Sequence, residues 1–131
     1  MKKTEIQHPD KLVATGAYSA GVLIDRWLYI SGQGPLDLAS GKTIRGTIEQ
    51  ETVTTLDHIQ KILHAANLDM DSIVKCTVHL LDINEFDRFN SSYHSYFKDK
   101  GVTVLPARTT VQSVLYDQIK VEIDAVARTS M

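Results

Sequence analysis

From position 47 the hydrophobic residues fall at three- and four-residue steps: Val53, Leu56, Ile59, Ile62, Leu63 and Ala66. That spacing places them on one stripe of an amphipathic helix. Thr47-Ile48-Glu49-Gln50 has the Thr-x-x-Gln form of a capping box, and Glu49 and Glu51 put negative charge at the positive end of the helix dipole. Asn67 suits a left-handed stop. A second stripe, Phe86, Phe89, Tyr93 and Phe97, follows a cap in Asp82-Ile83-Asn84-Glu85 and ends at Gly101. It predicts a second helix whose aromatic face is core.

Elsewhere the period is two. Residues 72–81 alternate Val74, Cys76, Val78 and Leu80 with Lys75, Thr77, His79 and Leu81, which predicts one long strand. Residues 12–30 alternate small and apolar side chains around Gly16 and Gly21 and divide at Asp25-Arg26, predicting two or three short strands before Ser31-Gly32-Gln33-Gly34-Pro35 breaks the pattern. Residues 107–115 and 119–127, joined by Tyr116-Asp117-Gln118, predict a closing antiparallel hairpin. The order of strands, helix, strand, helix, strands indicates an α+β fold with two helices packed on one face of a sheet. The other face exposes alternate residues drawn from Val111, Val114, Val121 and Ile123, an apolar surface that a symmetric oligomer would cover.

Composition narrows the function classes. The 131 residues form the length of one domain, 1–131, with ordinary hydrophobic (43%) and charged (23%) fractions and no repeat or low-complexity tract. A net charge of -2 offers no basic field for a phosphate backbone, so nucleic acid is not expected as a partner. The apolar runs are too short to span a membrane, and the polar start after Met1-Lys2-Lys3 lacks a signal core, which together give a cytoplasmic profile. Cys76 stands alone, so no internal disulfide forms, and its strand-like surroundings predict a buried, inert thiol.

The five histidines are scattered without a ligand spacing, and there is no Gly-x-Ser-x-Gly, Walker or Gly-x-Gly-x-x-Gly motif. Attention therefore falls on Arg108 in Leu105-Pro106-Ala107-Arg108-Thr109-Thr110-Val111 and on Glu122 in Lys120-Val121-Glu122-Ile123-Asp124-Ala125. On a hairpin they would lie side by side, the guanidinium able to hold a carboxylate in bidentate fashion and the glutamate able to handle a proton or a water. On these residues alone, solvated surface charges explain the pattern equally well.

Gly16-Ala17-Tyr18, Ile30-Ser31-Gly32-Gln33, Val74-Lys75-Cys76-Thr77-Val78, Phe89-Asn90-Ser91-Ser92-Tyr93, Pro106-Ala107-Arg108 and Val121-Glu122-Ile123-Asp124-Ala125 together resemble the Rid/YjgF family of reactive-intermediate deaminases over nearly the whole chain. The resemblance implies a chorismate-mutase-like subunit, a homotrimer built around a barrel, and sites in the clefts between subunits. It implies hydrolysis of 2-enamine and 2-imine acids, released from serine or threonine, to 2-keto acids and ammonia, with no cofactor and no metal. A regulator that binds 2-keto or amino acids in the same clefts without turnover is the alternative. Carried over by residue, Arg108 would bind the substrate carboxylate and Glu122 would activate water. Tyr18, Ser31, Gly32, Asn90 and Thr110 would contact the substrate. Thr110 stands where active members often have cysteine, Gly16-Ala17-Tyr18 replaces the common Gly-Pro-Tyr, and the Arg108–Glu122 segment is one residue shorter than in the best-known members.

Overall fold

The computed structural model describes residues 2–130 and places six strands in one mixed sheet, ordered β1-β2-β3-β6-β4-β5. The strands are β1 (Lys3–Ile6), β2 (Gly21–Ile24), β3 (Trp27–Gln33), β4 (Ile73–Leu80), β5 (Ala107–Gln112) and β6 (Val121–Arg128), and the helices are α1 (Ile48–Ala65) and α2 (Phe86–Asp99). Only β4 and β5 run parallel. That pairing requires a crossover, which α2 supplies.

Both helices start and stop where their sequences indicate. The Thr47 side chain accepts from Gln50 N, the Gln50 side chain accepts from Thr47 N, and Asn67 adopts φ 60° just past the end of α1. The buried stripe is rotated from the expected one, because Thr52 and Thr55 are fully buried while Val53 is 41% exposed. Thr52 Oγ1 satisfies itself by donating to Ile48 O. Gly101, at φ 78°, ends the run beyond α2 in a conformation that a side chain would resist. Leu56, Ile59, Ile62 and Leu63 of α1 and Phe89 and Phe97 of α2 meet Leu28, Cys76, Val78, Leu80, Val121 and Ile123 of the sheet in one fully buried cluster.

Three strand expectations are corrected. Residues 12–20 form an extended loop, while the N-terminal Lys3–Ile6 adds an edge strand antiparallel to β2 that its polar sequence does not signal. Val74 is 46% exposed, because a register shift between Ile73 and Lys75 turns it away from the face occupied by Cys76 and Val78. Finally, β5 and β6 do not form a hairpin: β6 inserts between β3 and β4, antiparallel to both, and β5 occupies the far edge beside β4. Of the residues expected on the uncovered face, Val121 and Ile123 point into the core, while Val111 and Val114 are exposed. The uncovered face carries in register Tyr29 beside Val126, Asp124 beside Thr77 and Thr109, and Glu122 beside His79 and Val111.

Candidate functional site

The insertion of β6 separates the two charged residues that the sequence places together. Arg108 pairs with Cys76 and so faces the helices, whereas Glu122 pairs with His79 and faces the open side. With β4 between them, their backbones stand about 10 Å apart across the strands alone. Within one chain they belong to two different places.

The first place is a cavity of about 360 Å³ at the β3–β6 end, lined among others by Tyr18, Gly32, Leu36, Tyr116, Ile119 and Glu122. Its floor is made by close packing of backbone against carboxylate. A Cβ on Gly32 would lie 2.6 Å from Glu122 Oε2, and one on Gly34 would lie 2.7 Å from Ile119 Cδ1. With glycine at 32 the carboxylate lies directly against the β3 backbone, and a side chain there would push it aside. Register shifts between Ile30 and Gln33, so this irregularity re-aims the strand beside Glu122. Among the described residues Glu122 has neither a cation partner nor a hydrogen bond.

Tyr18 stands on the 12–20 loop, its hydroxyl 2.7 Å from Thr15 Oγ1 and its ring under the Lys11 ammonium at 5.2 Å. Ser31 is near but turned aside: its hydroxyl donates to Ser19 O at 2.6 Å and its N–H to Ala20 O, fastening the Tyr18 loop to β3. Ser31 is therefore a fastener in this geometry rather than a lining group.

The second place lies between β5 and α2. The Arg108 guanidinium carbon sits 4.7 Å from the Tyr93 ring centroid and 5.6 Å from those of Phe86 and Phe89. Three aromatic faces hold the planar cation without consuming its hydrogen-bond donors. No carboxylate among the described residues pairs with it. Half-buried Asn90 shares this helix surface, one turn from both Phe86 and Tyr93. Thr110, inward-facing beside Val78, has a buried Oγ1 with no partner among the described residues, as does the Tyr93 hydroxyl. Burial pushes the Cys76 thiol up to about 11, so it carries no thiolate at neutral pH.

Two further features carry no motif in the sequence. Glu51, only 1% exposed, accepts from Lys120 N at 2.7 Å and Gly46 N at 3.1 Å, with Lys120 Nζ at 3.3 Å. It fixes the residues that lead into β6, two positions before Glu122. The signal was its position four before buried Thr55, which a dipole argument passes over. Likewise His8, His58 and Leu36 form a chain. His58 Nε2 donates to Leu36 O at 2.6 Å, and His58 Nδ1 then accepts from His8 Nε2 at 3.0 Å. His8 Nδ1 accepts from Asp10 N at 3.0 Å. The carbonyl at one end fixes both tautomers, since it can only accept. Among the described residues no cluster of metal-ligating side chains occurs.

The fold and the cleft together define an α+β protein whose unpaired carboxylate and unpaired guanidinium are each held in a prepared pocket. A family model described as Endoribonuclease L-PSP matches residues 8–129. The chain is 42% identical over 115 residues to human 2-iminobutanoate/2-iminopropanoate deaminase, covering 87% of this chain and 81% of that protein. The structure of YyfA, a Rid family protein from Yersinia pestis, superposes with a TM-score of 0.88 at 33% identity, over 98% of this chain and 100% of that one. E. coli TdcF with bound serine superposes with a TM-score of 0.88 at 30% identity, over 97% and 99% of the two chains. The chain belongs to the Rid/YjgF family.

Proposed function

We propose that this protein hydrolyses reactive 2-imino acids, and their enamine tautomers, to 2-keto acids and ammonia without a cofactor, in sites shared between the subunits of a homotrimer. The observation that carries the reading is the unpaired Glu122 carboxylate, held against Gly32 in a cavity that Tyr18 also lines. A relative named for this reaction supports it. The division of the charged residues supports the shared site. Arg108 stands at the edge strand with free donors and Glu122 on the open face, so each chain offers two complementary halves to neighbours.

In this reading the Arg108 guanidinium of one subunit takes the substrate carboxylate, each charge-assisted hydrogen bond contributing about 1.5–3 kcal/mol. Asn90 and the partnerless Thr110 hydroxyl flank it. Glu122 of the neighbour accepts a proton from water as its oxygen attacks the iminium carbon, breaking the C=N π bond to give a carbinolamine. The same carboxyl returns the proton to nitrogen, and as the carbinolamine collapses its hydroxyl gives its proton to the freed carboxylate, the C–N bond breaks, ammonia leaves and the keto acid remains. A protonated imine is already electrophilic, so positioning and one base suffice. The family description names an endoribonuclease, but a net charge of -2 supplies no basic track for a phosphate backbone.

The test is a coupled assay in which a dehydratase generates the imine from serine or threonine. Wild-type protein accelerates imine loss, Arg108→Ala abolishes the acceleration, and Glu122→Gln lowers it by about 10²–10⁴-fold. A wild type no faster than spontaneous hydrolysis would sink the reading, and ligand binding that persists without turnover would favour a metabolite-binding regulator.

A further inference from the structure

The cavity beside Glu122 has a wall that the proposed reaction does not use. Besides the polar Tyr18 and Glu122, the lining includes the apolar Leu36, Ile119 and Tyr116. Tyr116 is 78% exposed, so its ring is not there to fill the core. The backbone that presents it is held in a costly shape: the next two residues, Asp117 and Gln118, both have positive φ, 49° and 55°. Such conformations persist in non-glycine residues only when their surroundings over-determine them.

The surroundings here do so. Asp117 Oδ1 and its own carbonyl each accept from Arg45 Nη2 at 2.7 Å, and Oδ2 accepts from Thr43 Oγ1 at 2.8 Å. Arg45 and Thr43 belong to the segment whose other limb, through the Leu36–Thr43 bridge, forms the apolar side of the same cavity. The clamp thus ties the turn that carries Tyr116 to the segment that carries Leu36. An apolar wall standing beside the Glu122 carboxylate suits a substrate's side chain.

We infer that Tyr116, held by the Asp117 clamp, is the specificity-determining residue of this site, and that it selects 2-imino acids with bulky apolar side chains, of the leucine and phenylalanine type. Tyr116 acts by contact and Asp117 as a positioning residue. The inference rests on the imine-hydrolase reading above. It also implies that reactions which oxidise branched or aromatic amino acids to imines are suitable suppliers of substrate.

The experiment compares kcat/KM for imines made in place by an L-amino-acid oxidase from leucine and from alanine, for the wild type and three variants. Tyr116→Ala is expected to lower the leucine-to-alanine ratio about tenfold, the scale on which apolar pockets discriminate. Tyr116→Phe keeps the ratio, because the ring and not the hydroxyl makes the wall. Asp117→Ala, which releases Arg45 and Thr43, lowers the ratio through a raised KM for the leucine imine. A ratio unchanged in Tyr116→Ala overturns this inference while leaving the hydrolase reading intact. A wild type inactive on both imines overturns the two together.

Discussion

At the scale of single residues, the chemistry depends on polar groups left without partners and on others that are fully satisfied. Glu122, Arg108 and Thr110 are of the first kind, His8 and Glu51 of the second. His8 is 3% exposed, and its basicity is pushed from 6.5 down to about 4, chiefly by burial and then by His58, with Lys61 and Lys11 acting in the same direction and Asp10 opposing them. Since His8 Nδ1 already accepts the Asp10 N–H, a proton there would displace that donor. Above pH 6.5 the ring is neutral in both the folded and unfolded chain and contributes no pH dependence. As pH falls from 6.5 toward 4 the unfolded chain takes a proton that the folded one refuses, so stability is lost by on the order of 3 kcal/mol. Urea unfolding at pH 7.5 and 4.5 measures this, and His8→Gln is expected to flatten the dependence between pH 6.5 and 5. The arginine and glutamate were legible in the sequence as types at suitable places. The partners that make them special were not, because an unpaired state is a property of neighbours in space.

At the scale of elements, the helices are legible nearly in full, since caps and periodicity are local and their residues lie within one or two turns. The strands are less legible for the opposite reason. A polar edge strand such as Lys3–Ile6 exists because β2 offers it hydrogen bonds, not because of its own pattern. The short 116–118 connection reads locally as a hairpin turn, yet the chain uses it to cross from the edge to the middle of the sheet. A strand, a helix of 14 residues and a strand was the available signal for the parallel β4–α2–β5 unit. Glu51 shows how such placement is secured. Its carboxylate ties α1 to residue 120, so Glu51→Ala takes the partner from two half-buried backbone N–H groups and is expected to cost about 2 kcal/mol. Chemical denaturation would show this as a lower midpoint. A larger fall in imine hydrolysis than in a control such as Thr47→Ala would show that the start of β6 has moved.

At the scale of the whole molecule, opposite faces and an intervening strand keep Arg108 and Glu122 of one chain apart. If working sites join Arg108 of one subunit to Glu122 of the next, inactive Arg108→Ala and Glu122→Gln chains should rescue one another. Co-refolded in equal amounts into a closed trimer, they would form an intact site at about one interface in four, restoring about a quarter of wild-type activity. Mixing without subunit exchange should restore none. Co-refolded mixtures that stay inactive would show that the two residues do not share a site across an interface.

The sequence by itself determined the helices, their caps, the α+β class and the identities of the reactive side chains, because these follow from local periodicity and from the chemistry each residue carries. Only the tertiary structure decided that β6 enters the middle of the sheet, that Gly32 cradles the Glu122 carboxylate and that Arg108 rests on three rings. Those outcomes depend on which distant strands pair and on which face each residue then presents. A shift of one position in a strand reverses that choice, and no local pattern fixes it.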